Sequence, residues 1–345
     1  MARNLRVGVQ RGLRQSIGGG LRTGDIFTLS PASFDFSRIN TLDSRISFTR
    51  ASTGTFVSAD GLIKTASTNE ARFDHDPATG ESLGLLLEKA GTNLLLNSST
   101  LSTQTVTVAA ATHTLSFYGT GTVTLSGVST DGPLVGTGSN ERVDLTFTPT
   151  AGSLILTVSG SVTNAQLERG SFKTSYIPTT SSQVTRAADI AEIAGTNFSS
   201  FYNQSEGTIF LENAQTALAT IPFAYDFSDG TTENSHRLLY ISSANPVPIK
   251  VRTKVSNSNT TDISFTAPAI GQFQKLAYGY KLNDFALSVN GASVVSDTNG
   301  AVPTVINKLN IGAAFSGGNA FIGHIRRLAY FPTRLVDNTL KSIAT

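Results

Sequence analysis

The sequence predicts an all-β chain: two antiparallel, jelly-roll-like β-sandwiches in tandem after a basic N-terminal arm. Three observations carry this. Apolar residues alternate through residues 101–168, an Asn-Gly pair at 290 and 291 separates two alternating runs, and only 14% of the 345 residues are charged while 31 are glycine. Period-two spacing puts every second side chain on one face of a strand. Low charge with many turn formers describes a β-protein, not a disordered or nucleic-acid-coating chain.

The length gives room for two or three domains, each able to bury a core. The chain has no cysteine, which removes disulfides and thiolate metal sites from consideration. No apolar run approaches the length that spans a bilayer, and the basic N-terminus lacks the apolar stretch of a secretory signal. The expectation is a soluble protein made in the cytoplasm.

Residues 1–30 form the arm. Arg3, Arg6, Arg11, Arg14 and Arg22 face no acidic residue before position 23, and Gly18, Gly19 and Gly20 punctuate the segment. A solvated tail is one reading and an anchor into a larger acidic assembly is the other. Arginine-rich arms also neutralise phosphates, but no aromatic interleaving or recognition fold points to nucleic acid here.

Residues 31–100 are an irregular β region leading into the first sandwich, with apolar clusters such as Phe34, Phe36, Ile46 and Phe48 broken by turns. Leu83 to Leu87 reads as a strand buried on both faces, the place to look for subunit contact in an oligomer. Residues 101–185 hold the first sandwich: Leu115 and Phe117, Val123 and Leu125, Val143, Leu145 and Phe147, then Leu154, Leu156 and Val158 alternate between turns. Residues 186–345 hold the second. Val184 to Ile193 fits a strand or a short helix, Asn290-Gly291 supplies the two positive φ angles of a type I′ hairpin, and Leu335 to Ile343 fits one or two helical turns. No solenoid repeat or sustained heptad is present.

Several segments resemble tailed-phage fibre and appendage proteins. Asn164 to Thr180, with Ala-Gln-Leu-Glu at 165–168 and Thr-Ser-Tyr-Ile-Pro-Thr at 174–179, is similar to the run that closes a carbohydrate-binding-module-like sandwich in such virion proteins. Ser47-Phe-Thr-Arg-Ala-Ser52, Asp60-Gly-Leu-Ile63, Asn69-Glu-Ala-Arg-Phe-Asp74, Leu83-Gly-Leu-Leu-Leu-Glu88 and Thr92-Asn-Leu-Leu95 carry the same likeness. Phe321 to Pro332 is similar to the last strand of a concanavalin A-like, or laminin-G-like, domain. The resemblance implies a virion structural protein, a homotrimer, contact with a host-surface polysaccharide and attachment to other virion proteins through the arm. It implies no enzyme activity and no cofactor. A capsid-decorating or head-fibre protein without a host ligand is the alternative, and a polysaccharide depolymerase is a third reading.

Candidate sites are few. Lys250, Arg252 and Lys254 share one face of a strand and suit an acidic polysaccharide, although a charge-protected edge strand gives the same pattern. Tyr225, Tyr240, Tyr278 and Tyr280 suit sugar stacking if exposed and core packing if not. Asp74-His75-Asp76 points its side chains to opposite faces, so no metal is expected. His113, His236 and His324 lack zinc spacing, and no nucleophile elbow or phosphate loop occurs. Glycoside cleavage needs two facing carboxylates; Asp226 and Asp229 come nearest, with a turn at Asp229-Gly230. Asp284 and Asp297 join them as loop acids that calcium could use. The expected catalytic and metal sets are both empty.

Overall fold

The computed structural model describes residues 26–217, 221–241, 248–266 and 268–345. The arm arginines Arg3, Arg6, Arg11, Arg14 and Arg22 lie outside the described residues. The described residues are nearly all β, 49% strand and 5% helix, so the fold class read from alternation holds. The described residues form two compact units: a central unit of Thr49–Leu83 with Glu88–Asp189, and a C-terminal unit of residues 26–48, Gly84–Leu87 and the described part of 190–345.

In the central unit one sheet runs Leu134–Val135, Thr122–Gly127, Gly152–Ser159, Gln104–Val108, and a second runs Gly138–Phe147, His113–Gly119, Thr163–Arg169. All pairings are antiparallel. Alternating residues identified above meet between the sheets: Leu115, Phe117, Val123, Leu125, Leu154 and Leu156 are buried in one cluster. Each such side chain contributes roughly 1.5–3 kcal/mol through burial, which closes the sandwich without cross-links. Val184–Arg186 settles as a strand against Gly91–Asn93.

In the C-terminal unit one sheet runs Val295–Asp297, Asp284–Val289, Gln274–Lys281, Glu206–Gln215, Gly323–Phe331. The facing sheet runs Ile190–Ala194, Lys308–Ile311, Phe223–Ser228, Ser235–Tyr240, Pro248–Val255, Ser258–Thr266. The helix Asp337–Ile343 lays Leu340 and Ile343 onto the outside of the first sheet beside Phe27, Phe210 and Phe331. Asp337 in its first turn and Lys341 in its last both suit the helix dipole.

The region 31–100 is not a separate lead-in. Ala32–Asp35 pairs with the last long strand, Ala32 opposite Tyr330 and Asp35 opposite Arg327, while Leu85, Leu86 and Leu87 pair with Ile325, His324 and Gly323 of the same strand. Residues 49–83 belong to the central unit instead. Leu85, Leu86 and Leu87 are therefore buried by intramolecular pairing, which corrects their assignment to subunit contact. Gly84 makes this possible: at φ +90, a Cβ there would stand 2.4 Å from the Ile325 carbonyl oxygen.

The hairpin expectation is met in its angles but not its length. Asn290 and Gly291 have φ of 48° and 69°, yet the ladder resumes only at Leu287 opposite Val295. Ser288 Oγ bonds the Ala292 carbonyl at 2.8 Å and holds the wider connection.

Candidate functional site

Three of the segments that resemble phage proteins each contribute one residue, Arg50, Arg72 or Glu88, to a buried cluster in the central unit. Arg50, Arg72, Glu88, Arg186 and Asp189 form one ion cluster, with side chains between 0% and 4% exposed. Arg50 reaches Asp189 at 3.1 Å, Arg72 reaches Glu88 at 2.8 Å and Asp189 at 2.5 Å, and Arg186 reaches Glu88 at 3.4 Å. Three guanidiniums meet two carboxylates, a formal sum of +1, and backbone carbonyls take further N–H groups: Ser52 and Ser67 from Arg50, Thr55 from Arg72, Lys89 from Arg186, while Arg72 Nε and Arg186 Nε have no hydrogen-bond partner among the described residues. Arginine's planar fork suits this, because it divides its donors among several acceptors at once.

Burial acts to raise the Glu88 pKa, but the charges of Arg186 and Arg72 and the hydrogen bonds from Ser175 outweigh it and hold the carboxyl well below the usual range. Arg72 is held above its ordinary value in the same way: desolvation opposes its charge, and Glu88 and Asp189 more than restore it.

A second layer explains the spelling of the 164–180 run. Gln166 and Glu168 fall on one side of the strand Thr163–Arg169 and bind the segment that follows. Glu168 accepts from the Thr174 backbone N–H at 2.8 Å and its hydroxyl at 2.6 Å, while Gln166 Oε1 accepts from the Ile177 N–H at 2.5 Å. Asn93 is fully used: its Nδ2 donates to the Ala165 and Ile177 carbonyls, and its Oδ1 accepts from Leu95 and Leu167. Ser175 donates to both Glu88 oxygens at 2.7 Å, through its backbone N–H and its hydroxyl, and so joins the two layers. Gly54 and Gly91 leave the space: a Cβ would stand 2.9 Å from Arg50 Nε at one and 2.7 Å from Glu168 Oε1 at the other. Apart from Arg72 Nε and Arg186 Nε, the donors and acceptors named here meet partners inside the protein.

The sites expected in the C-terminal unit are placed differently. Tyr225, Tyr240, Tyr278 and Tyr280 are 0–2% exposed, so their ring faces are core surfaces and not sugar platforms. They alternate on strands whose inner faces close the sandwich, and packing takes them in. Tyr280 bonds Tyr330 hydroxyl to hydroxyl at 2.9 Å, and Tyr278 bonds Thr253 at 2.7 Å. Thr253 in turn bonds His236 Nδ1 at 2.8 Å, and burial pushes the His236 pKa down to about 3. Tyr240 differs in also lining a small pocket.

Lys250 and Arg252 share a face as expected, but both bind Asp262 on the neighbouring strand, at 3.1 and 2.9 Å. Lys254 bonds Asn257 at 2.8 Å. Asp262 therefore offsets one of the three cations and leaves two positive charges on this face. Asp226 is buried against Arg237 at 2.8 Å and accepts from the Phe315 N–H, while Asp229 caps its own turn through Thr231 and Asn234. Desolvation raises the Asp226 pKa despite Arg237. Asp76 likewise binds its own turn, and Asp74 takes the Val57 N–H. No group of three metal-ligating acids or histidines occurs among the described residues, and no helix among them is long and apolar enough to cross a membrane.

No family model matches the sequence, and no curated protein matches it. Among solved structures the chain is similar to the Ruminococcus gnavus IT-sialidase CBM40: 17% identity over 43% of this chain and 87% of that one, TM-score 0.36. It is similar to a leech intramolecular trans-sialidase complexed with 2,7-anhydro-Neu5Ac, at 14% identity over 43% of this chain and 24% of that one, TM-score 0.37. Domain 4 of AbnA, a GH43 extracellular arabinanase from Geobacillus stearothermophilus in complex with arabinotriose, matches at 14% identity over 51% of this chain and 84% of that one, TM-score 0.35. Scores at this level leave the fold to be read from the sheets themselves.

Proposed function

We propose that this chain is a virion structural protein of a tailed phage, a fibre or appendage subunit that assembles as a homotrimer. The basic arm fixes it to other virion proteins, and the C-terminal sandwich meets host-surface glycan. One observation supports the reading above the rest. Arg50, Arg72, Glu88, Gln166 and Ser175, which come from four of the segments that carry the phage resemblance, join Asp189 in one buried network, so this part of the likeness concerns a folded module and not a scatter of short strings. A network with its polar groups turned inward suits a passive architectural part.

Antibody labelling of intact particles tests the reading. Label on the tail or its appendages is the expected result, label on the capsid favours the decorating alternative, and particles without label reject a virion role. Deleting residues 1–22 should yield a folded chain that no longer joins particles. Full incorporation of the truncated chain would reject the anchoring role of the arginines.

A further inference from the structure

At one end of the C-terminal unit, Gln215 finishes its strand, Gln274 begins the neighbouring one, and Tyr240 ends a strand of the facing sheet. Their side chains form the floor of a small pocket whose rim is Pro268, Ala269 and Ile270. The floor is buried, with Gln215, Tyr240 and Gln274 between 2% and 5% exposed, whereas Ile270 is 40% exposed. Hydrogen bonding on the floor is incomplete. Gln215 Nε2 is tied to the Ala217 carbonyl at 2.8 Å, and Gln274 Nε2 donates to the Tyr240 hydroxyl oxygen at 2.7 Å. Asn213 Nδ2 donates to the same oxygen from behind. The side-chain carbonyl oxygens of Gln215, Gln274 and Asn213 have no hydrogen-bond partner among the described residues. Leaving such a group unmet costs about 1–3 kcal/mol.

We propose that this pocket binds one hydroxyl group of a neutral sugar, with the pyranose ring resting on the apolar rim. The chemistry selects the ligand. An oxygen that already accepts two N–H bonds keeps its proton for donation, so Tyr240 offers one donor while Gln215 and Gln274 offer acceptors. A hydroxyl accepts from the Tyr240 proton and donates its own to one of the two carbonyl oxygens, so it meets one need of each kind. The space above the floor admits a group the size of one water, which fits a single hydroxyl and leaves the ring outside. Tyr240 stays neutral because burial raises its pKa. Among the described residues the lining contains no carboxylate for a metal ion and no cation for an acidic sugar. The proposal rests on the glycan-contact reading above and gives it a place and a ligand class.

The test uses the full chain and two probes: methyl glycosides of neutral hexoses followed by saturation-transfer NMR, and host-surface polysaccharide in a pull-down. Variants are Tyr240→Phe, which removes only the hydroxyl, and Ile270→Lys, which alters the exposed rim and leaves the core intact. Binding of both probes, weakened at least tenfold in both variants and unchanged in Arg252→Ala, is the expected result. Polysaccharide binding that survives both variants overturns the pocket and leaves the glycan reading standing. Methyl glycosides bound and lost in the variants, with no polysaccharide bound, uphold the pocket and defeat the glycan reading. If neither probe binds, the pocket holds ordinary water and the proposal fails.

Discussion

The two units bury polarity in different proportions. The central unit clusters charge, matching three arginines with two acids and many carbonyls, while the C-terminal unit buries the ion pair of Asp226 with Arg237 and otherwise links neutral groups, Tyr278, Thr253 and His236 in one chain and Tyr280 with Tyr330 in another. A buried ion pair adds little net stability over a well-packed apolar replacement, but losing one partner strands the other charge in a medium that cannot solvate it. A neutral hydroxyl chain carries much smaller stakes. The contrast predicts a brittle central unit and a C-terminal unit that tolerates loss of single polar groups.

The largest expected effect is that of Asp189→Ala. This change takes away the partner of both Arg50 and Arg72 and should destabilise the central unit by about 3–5 kcal/mol, read as lost amide-exchange protection in residues 104–169. Retained protection would mean that the cluster is dispensable.

Acidification should separate the units next. His236 has a folded-state pKa of about 3 against 6.5 for the ordinary group, so below 6.5 the unfolded chain binds a proton that the fold refuses. Its contribution is complete above pH 6.5 and falls away toward pH 3, with a slope approaching roughly 1.4 kcal/mol per pH unit. Glu88 is also depressed, but its ordinary value is 4.5, so its contribution begins to go only below that pH. Asp226 acts in the other direction: with its pKa raised above 3.8, protonation on acidification favours the fold and offsets part of the His236 loss. Amide exchange at pH 5.5 should loosen strands 223–255 before 104–169. The reverse order would contradict the assignment of charge and neutrality to the two interiors.

The sequence announced the sheets and concealed the clusters. Leu115, Phe117, Leu154 and Leu156 alternate within a few residues of one another, so local spacing suffices to find the central sandwich. Nothing local says that Ala32 pairs with Tyr330, which is why residues 31–100 look like a separate region. The ion cluster was visible only as strings that resemble other proteins. Arg50 and Asp189 are 139 positions apart, and charged residues are ordinarily read as surface. Among the tyrosines, alternation left core and platform open, and packing decided for core. Gln215 and Gln274 carried no signal, because a glutamine at a strand end is unremarkable until its carbonyl is found buried without a donor.

A smaller effect probes how tightly the central cluster is packed. Gly54→Ala places a methyl 2.9 Å from Arg50 Nε and 3.2 Å from Arg72 Cδ, and neither pinned guanidinium can step aside. Denaturant titration should show a loss of about 1–3 kcal/mol; an unchanged midpoint would mean that the cluster is slack. The smallest is Tyr330→Phe in the C-terminal unit. It removes one hydroxyl from the pair with Tyr280 and should cost about 0.5–1.5 kcal/mol by the same titration. A loss as large as that of Asp189→Ala would erase the distinction between the interiors.

The central claim is that the resemblance-bearing residues act as one electrostatic unit, and a double-mutant cycle on Arg72 and Glu88 tests it most directly. Arg72→Met and Glu88→Gln should each destabilise the central unit, and the double variant should cost less than their sum by about 1–3 kcal/mol, since each single change leaves the other charge stranded. Effects that add to within about 0.5 kcal/mol would show that the two residues act independently, and the account would fail.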